Sequence, residues 1–198
     1  MEELGALKYI LPEFELNEEI VERLIKVKDY YDFWTRDIQD EKIELWVIYF
    51  CCLVRNLKRN QIQRINKKLI IKQKSIDKIN YCYSNLDQII KMISQKTEIS
   101  PSVIYLKLKG LPNEVLFLAM AESDSDITKE RINNYFKKYK RESLYISGKE
   151  LKELQVRPGP IYSQILNKLL CAQLDGEVKN KRDEIRFVKN ILKERNKI

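Results

Sequence analysis

Histidine is absent from the chain. That removes the side chain most often used as a general base and the commonest metal ligand. Cysteine is sparse. Cys51, Cys52, Cys82 and Cys171 are the four, no C-x-x-C pair exists among them, and a zinc site is not expected. Cys51 and Cys52 lie in an apolar run and read as small buried hydrophobes, in keeping with a reducing compartment. Glycine and proline number five each in 198 residues, too few for the turns of a sheet protein. The longest apolar run, LWVIYFCCLV at 45–54, is too short to span a bilayer, which takes about 20 residues. The acidic start MEELGALKY has no signal-peptide pattern. A soluble cytoplasmic protein with no membrane partner is expected.

Charge is what the chain has in plenty. Asp, Glu, Lys and Arg make up 33% of residues and apolar types 44%, so a real core can be buried beneath a heavily charged surface. The net charge is +8 and it is unevenly placed. Residues 1–44 hold 13 acids and 6 bases, a net of −7, so the rest carries +15. The stretch RNLKRNQIQRINKKLIIKQK at 55–74 has eight bases and no acid. Such asymmetry suits one basic surface facing a polyanion such as nucleic acid. Solvated helix faces are the plainer reading of the same pattern.

Hydrophobic spacing predicts helices throughout and no strand. Asn17 caps a helix whose first turn holds Glu18 and Glu19, with Leu16 and Val21 placed to staple its entry. Ile20, Leu24, Val27, Tyr31 and Trp34 then form one buried stripe. A helix of about 40–58, apolar nearly all round, is expected at the centre of a bundle. One of about 75–95 turns Ile76, Ile79, Tyr83, Leu86, Ile90 and Ile93 inward. Ser100-Pro101 breaks the chain, with serine as cap and proline at the first helical position, and marks a boundary between two subdomains. Further helices are expected over 113–122, 127–140, 147–154, 161–173 and 180–194. The fold class is therefore all-α, two packed helical subdomains with about nine to ten helices and no sheet.

The scarce glycines and prolines concentrate in SGKELKELQVRPGPIYSQIL at 147–166, which holds Gly148, Pro158, Gly159 and Pro160. Ser147 with Glu150 matches a capping box, and Arg157-Pro158-Gly159-Pro160 is a tight entry to the next helix. Helix starts present free N–H groups and a partial positive charge, which suit phosphate. Lys149, Lys152 and Arg157 flank these two starts, and Lys179-Asn180-Lys181-Arg182 opens the last helix in the same way. A small platform ringed by bases can cradle sugar-phosphate. A corner that serves packing alone fits the residue types equally well. The candidate contacts are Gly148, Lys149, Arg157, Gly159, Lys179, Lys181 and Arg182, followed by Lys67, Lys68, Lys137, Lys138 and Arg141. Tyr162 can stack on a base but reads first as core. Asp124-Ser125-Asp126 imitates a metal-binding carboxylate pair, yet no strand or Gly-Ser precedes it, so a helix cap is the better reading. Asp29 and Asp32 read as a solvated edge.

The segment 146–188 resembles the C-terminal tail of bacterial class II tRNA nucleotidyltransferases, the CCA-adding enzymes and the related A-adding or poly(A)-polymerase-like ones. The likeness lies in S-G-K-E-L at 147–151, the P-G-P turn leading into an I-L helix, and L-D-G-E-V-K-N-K at 174–181. Upstream, GALKYILPEF at 5–14 looks like the join of neck and body, and VIYLKLKGLPNEVLFLAMA at 103–121, with Glu114, looks like the body–tail region. Gln155 departs from the family, which usually has glycine there.

The resemblance implies a body-like domain over 1–99, with a neck remnant within 1–16, and a tail-like domain over 100–198. It implies a tRNA partner held by its acceptor and TΨC arms, so that the 3′ end meets a catalytic head. That head would carry Gly-Ser, an Asp-x-Asp metal pair, Mg and ATP or CTP. This sequence has no Gly-Ser, and its one Asp-x-Asp, Asp124-Ser125-Asp126, lacks the family's context, so no catalysis, cofactor or metal is expected of the chain alone. The head is expected in cis or as a separate subunit, the chain being a cut piece or half of a divided enzyme. The other reading is a helical protein-interaction module that docks a separate catalytic subunit and has little RNA affinity.

Overall fold

A computed structural model describes Pro12, residues 16–38 and residues 40–195. The neck-like stretch 5–14 lies, Pro12 apart, outside the described residues. Among those described there are ten α-helices, one 3-10 turn and no strand. The all-α expectation holds. No helix among the described residues is long and apolar enough to cross a membrane.

The chain forms two compact units that are not consecutive halves. Among the described residues, those up to 96 and 110–132 make the first, 97–109 and 133–195 the second. The first unit holds α1 (Glu18–Asp37), α2 (Leu45–Val54), α3 (Arg59–Lys68), α4 (Gln73–Ile93) and α6 (Asn113–Glu122). The central helix is α6, not the apolar helix near 45–54. Glu114 through Ala121 are all buried, and α6 packs against α1, α2 and α4. Helix α2 buries Val47, Ile48, Cys51, Cys52 and Val54 but leaves Trp46 exposed. The expected stripe of α1 is present, with Ile20, Val27 and Trp34 fully buried and Trp34 edge-on to Phe117. Asn17 Oδ1 accepts the Ile20 N–H at 2.9 Å, as a cap should. The staple does not form, since Leu16 and Val21 are both exposed.

The basic stretch contains α3, which the charge run concealed. Ile62 and Ile65 point inward while Arg59, Arg64, Lys67 and Lys68 point out. Its end is a Schellman turn. Ile71 N–H bonds Asn66 O and Ile70 N–H bonds Lys67 O, which places Ile70 at φ 51°.

The second unit holds α5 (Pro101–Leu108), a 3-10 turn (Tyr139–Arg141), α8 (Gly148–Glu153), α9 (Pro160–Leu174) and α10 (Lys181–Arg195). Helix α7 (Asp126–Lys137) begins in the first unit and ends in the second. The core of the second unit gathers Ile146, Leu151, Val156, Ile165, Leu169, Ala172, Val178 and Val188. Each large apolar side chain among them contributes roughly 1.5–3 kcal/mol by leaving water. Ser100 does not cap α5. Its hydroxyl meets Ser102 Oγ at 3.1 Å. The cap comes from Asp175, whose carboxylate accepts the Ser102 N–H at 2.9 Å and its O–H at 2.6 Å. A carboxylate there also suits the positive end of the helix dipole.

Candidate nucleic-acid interface

Three helix starts of the second unit meet at one place. At the start of α8, Ser147 and Glu150 form the expected capping box. Glu150 Oε2 accepts the Ser147 N–H and O–H, both at 2.8 Å, and Ser147 Oγ accepts the Lys149 N–H at 3.2 Å. Glu150 Oε1 also meets Lys181 Nζ at 3.2 Å, which ties the start of α10 to that of α8. The start of α9 arrives through Tyr162. A Cβ on Gly148 would lie 3.2 Å from the Tyr162 ring, and Tyr162 donates its O–H to Val156 O at 3.0 Å. Gly148 is therefore small because the ring needs its space, and Tyr162 packs against the core rather than standing free.

The protein's own carboxylate has taken part of the seat expected for phosphate. The bonds from Ser147, followed by Lys181, hold the Glu150 carboxyl down at about 2. The cap is thus complete above the ordinary glutamate value and is lost only as pH falls towards 2. Gly148 keeps the one first-turn N–H of α8 that has no partner among the described residues. At the start of α9, Pro160 has no N–H at all.

The backbone here is unusual at two points. Gln155 has φ 63°. Val156 N–H bonds Leu151 O and Gln155 N–H bonds Lys152 O, so α8 closes in a Schellman turn with glutamine where glycine would sit without strain. Gly159 has φ 152° and ψ −167°, a region open essentially to glycine only. Nothing lies within 4 Å of a Cβ built there, so the dihedral requires the glycine and crowding does not. Gly159→Ala is expected to lower the stability of this unit by about 1–3 kcal/mol, read as a shift in urea midpoint.

Lys149, Arg157, Lys179, Lys181 and Arg182 are all exposed. Lys181 is partnered by Glu150, while the side chains of the other four make no hydrogen bond or ion pair among the described residues. Lys137, Lys138 and Arg141 are cations of the same unit; Lys67 and Lys68 belong to the first unit. Asp124 bonds Lys26 at 3.3 Å, and Asp126 opens α7. Among the described residues no three Cys, Asp or Glu side chains gather as metal ligands.

Sequence reasoning missed Glu184, which sets the geometry beneath the site. It is 0% exposed. Its two oxygens accept the Tyr145 N–H at 2.9 Å and the Ile146 N–H at 2.8 Å. A carboxylate one turn into a helix start, facing a loop that must turn towards another helix start, was the available signal. Asn180 caps α10, accepting the Asp183 N–H at 3.0 Å.

The sequence model described as tRNA nucleotidyltransferase domain 2 matches residues 37–188. The A-adding tRNA nucleotidyltransferase of Geobacter sulfurreducens is 29% identical over 191 residues, covering 94% of this chain and 22% of the relative. The chain thus spans about a fifth of the length of the curated relatives it matches. Among solved structures, the Thermotoga maritima CCA-adding enzyme complexed with tRNA superposes with a TM-score of 0.73 at 17% identity, over 97% of this chain and 46% of that one. A tRNA-processing enzyme complex gives 0.72 at 21% identity, over 87% and 46%. Those two likenesses show a shared fold. With the family model matching well over half of its residues, the chain belongs to the tRNA nucleotidyltransferase domain 2 family.

Proposed function

We propose that the chain is the RNA-holding module of a tRNA nucleotidyltransferase, gripping the acceptor and TΨC arms so that the 3′ end is presented to a catalytic head. The observation that carries this reading is the meeting of the α8, α9 and α10 starts, bound together by Glu150, Lys181 and Tyr162 and surrounded by exposed cations. Folded RNA is held mainly through phosphates, 2′-hydroxyls and shape. Lys149, Arg157, Lys179 and Arg182 would meet phosphates, with Lys181 exchanging its bond to Glu150 for one more. The Gly148 and Gly159 amides would serve as neutral donors. Ser100-Pro101, at the opening of α5, lies just past the first crossing from the body-like to the tail-like part as we propose them, with residues 110–132 returning to the body-like one. Nucleotide transfer, with its Mg and its ATP or CTP, is assigned to a head in cis or in a separate subunit.

The test is a gel shift with an acceptor–TΨC minihelix at two salt concentrations. Lys149→Ala with Arg157→Ala should weaken binding and flatten the log–log salt slope by roughly 0.7–0.9 for each phosphate that is no longer neutralised, with the unfolding midpoint unchanged. Binding as tight as that of the unaltered chain would sink the proposal.

A second reading, a module that docks a separate catalytic subunit, is favoured by one feature of the first unit. Val21 and Ile25, one turn apart on α1, are both exposed. Under that reading the minihelix would not bind at either salt concentration.

A further inference from the structure

We infer that the cleft at the corner between α3 and α4 of the first unit binds an unstacked nucleobase, and that adenine is the base it matches best. The cleft measures about 510 Å³, within the range of small-molecule sites. Three carboxamides line it, those of Gln63, Asn66 and Asn80. A carboxamide offers a donor and an acceptor side by side, the pattern that pairs with the N6 and N7 edge of adenine. Ile70 and Ile71 supply apolar walls for the faces of a base, and Lys67 a cation for the attached phosphate.

Two observations set this cleft apart from an ordinary surface hollow. Asn66 is 4% exposed, and its side-chain oxygen, shielded from solvent, has no hydrogen-bond donor. Such an orphan costs roughly 1–3 kcal/mol, a cost relieved when the carboxamide turns into the cleft towards a bound group that brings an N–H. The other observation is Ile70. It is β-branched, left-handed at φ 51° and 89% exposed. Glycine would hold that conformation without strain, and a polar residue would face water at no loss. A strained apolar side chain at the rim of a cleft makes sense as a surface that a flat ring covers.

The nucleotide can come from either of two sources, an unpaired residue of RNA or a free nucleoside phosphate. The first rests on the RNA-holding reading above; the second stands without it. The test follows the side-chain NH₂ resonances of Gln63, Asn66 and Asn80 in the ¹⁵N-labelled 198-residue chain. AMP should shift them, and ribose 5-phosphate should leave them in place. An RNA hairpin with one bulged adenosine should shift them as well if RNA is the source, whereas a response to AMP alone assigns the cleft to free nucleotide. Asn80→Ala and Gln63→Ala, neither at a fully buried position, should weaken AMP binding roughly tenfold. Amide resonances unmoved by both AMP and the bulged hairpin overturn the inference, as does an Asn80→Ala, Gln63→Ala chain that binds AMP unchanged. The minihelix assay reads residues of the second unit, so its failure and a failure here are told apart.

Discussion

Replacing Glu184 with alanine should lower the stability of the second unit by about 3–4 kcal/mol. The side chain is fully buried, and its two oxygens accept the backbone N–H groups of Tyr145 and Ile146. Alanine leaves both donors without a partner beside a packed core, and each orphan costs roughly 1–3 kcal/mol. Charge-assisted bonds are also the stronger kind. Glutamine keeps one acceptor and replaces the other with an NH₂ group that faces a donor, so Glu184→Gln should cost about half as much. The checks are the urea midpoint and hydrogen exchange at the Tyr145 and Ile146 amides, which should speed up before the rest of the unit does. A Glu184→Ala midpoint indistinguishable from that of the unaltered chain would contradict this account. On the RNA-holding proposal RNA affinity should fall with it, because residues 145–150 place Gly148 and Lys149.

Lys78→Met should cost the first unit about 3–5 kcal/mol. Lys78 Nζ lies 2.7 Å from Glu44 Oε1 and 2.7 Å from Glu114 Oε1. Glu114 is 2% exposed and also accepts the Glu44 N–H at 2.9 Å, while Glu44 accepts the Ser75 hydroxyl at 3.1 Å. Removing the ammonium strands the Glu114 carboxylate in the core. Adding Glu114→Gln to Lys78→Met should recover much of the loss, since an amide oxygen still accepts the Glu44 N–H without a charge. The double-mutant cycle measures the coupling. The pH dependence has a definite sign. The hydrogen bond from Lys78 lowers the Glu44 carboxyl from its ordinary 4.5. Its share of stability is present above 4.5 and lost as pH falls through the depressed value. Burial alone would lower Lys78 from its ordinary 10.5, but the bonds to Glu114 and Glu44 outweigh it and raise the ammonium. That share is present below 10.5 and lost as pH rises through the raised value. In Lys78→Met protein both dependences should shrink, and an unaltered acid limb would argue against the network.

Local chemistry was the part of this fold most open to reading. The α6 range was legible to the residue, because Gly110-Leu111-Pro112 interrupts the chain and an apolar run follows. The α1 stripe and its Asn17 cap, and the Ser147–Glu150 box, depend on residues three or four apart, and all three are present. What stayed hidden depends on partners far along the chain. Ser100 has the right type and place for a cap, yet Asp175, 73 residues from Ser102, does that work. Glu114 reads as an ordinary first-turn acid until Lys78 and the Glu44 amide are brought to it. Helix α3 was masked by its bases, because two isoleucines are enough to bury a short helix against a neighbour. At the candidate interface the sequence marked separate helix starts through Gly148, Gly159 and Lys181, while their meeting rests on contacts of Glu150 with Lys181 and of Gly148 with Tyr162. The internal use of that seat by Glu150 was not marked, since a capping box says nothing of the lysine it also holds.

The bond from Ile146 to Glu184 spans 38 residues, and that distance orders events during synthesis. Ser147 and Glu150 can close their box as soon as they leave the ribosome. The segment before them has no fixed direction until Glu184 has emerged as well. A nascent chain stalled between these points would carry the cations of residues 149–157 on a floppy tether; if they hold RNA as proposed, they could attract it there but not orient it. On the RNA-holding proposal, competence to align an RNA end is therefore acquired only when the buried carboxylate of Glu184 arrives, whatever cations have emerged before it.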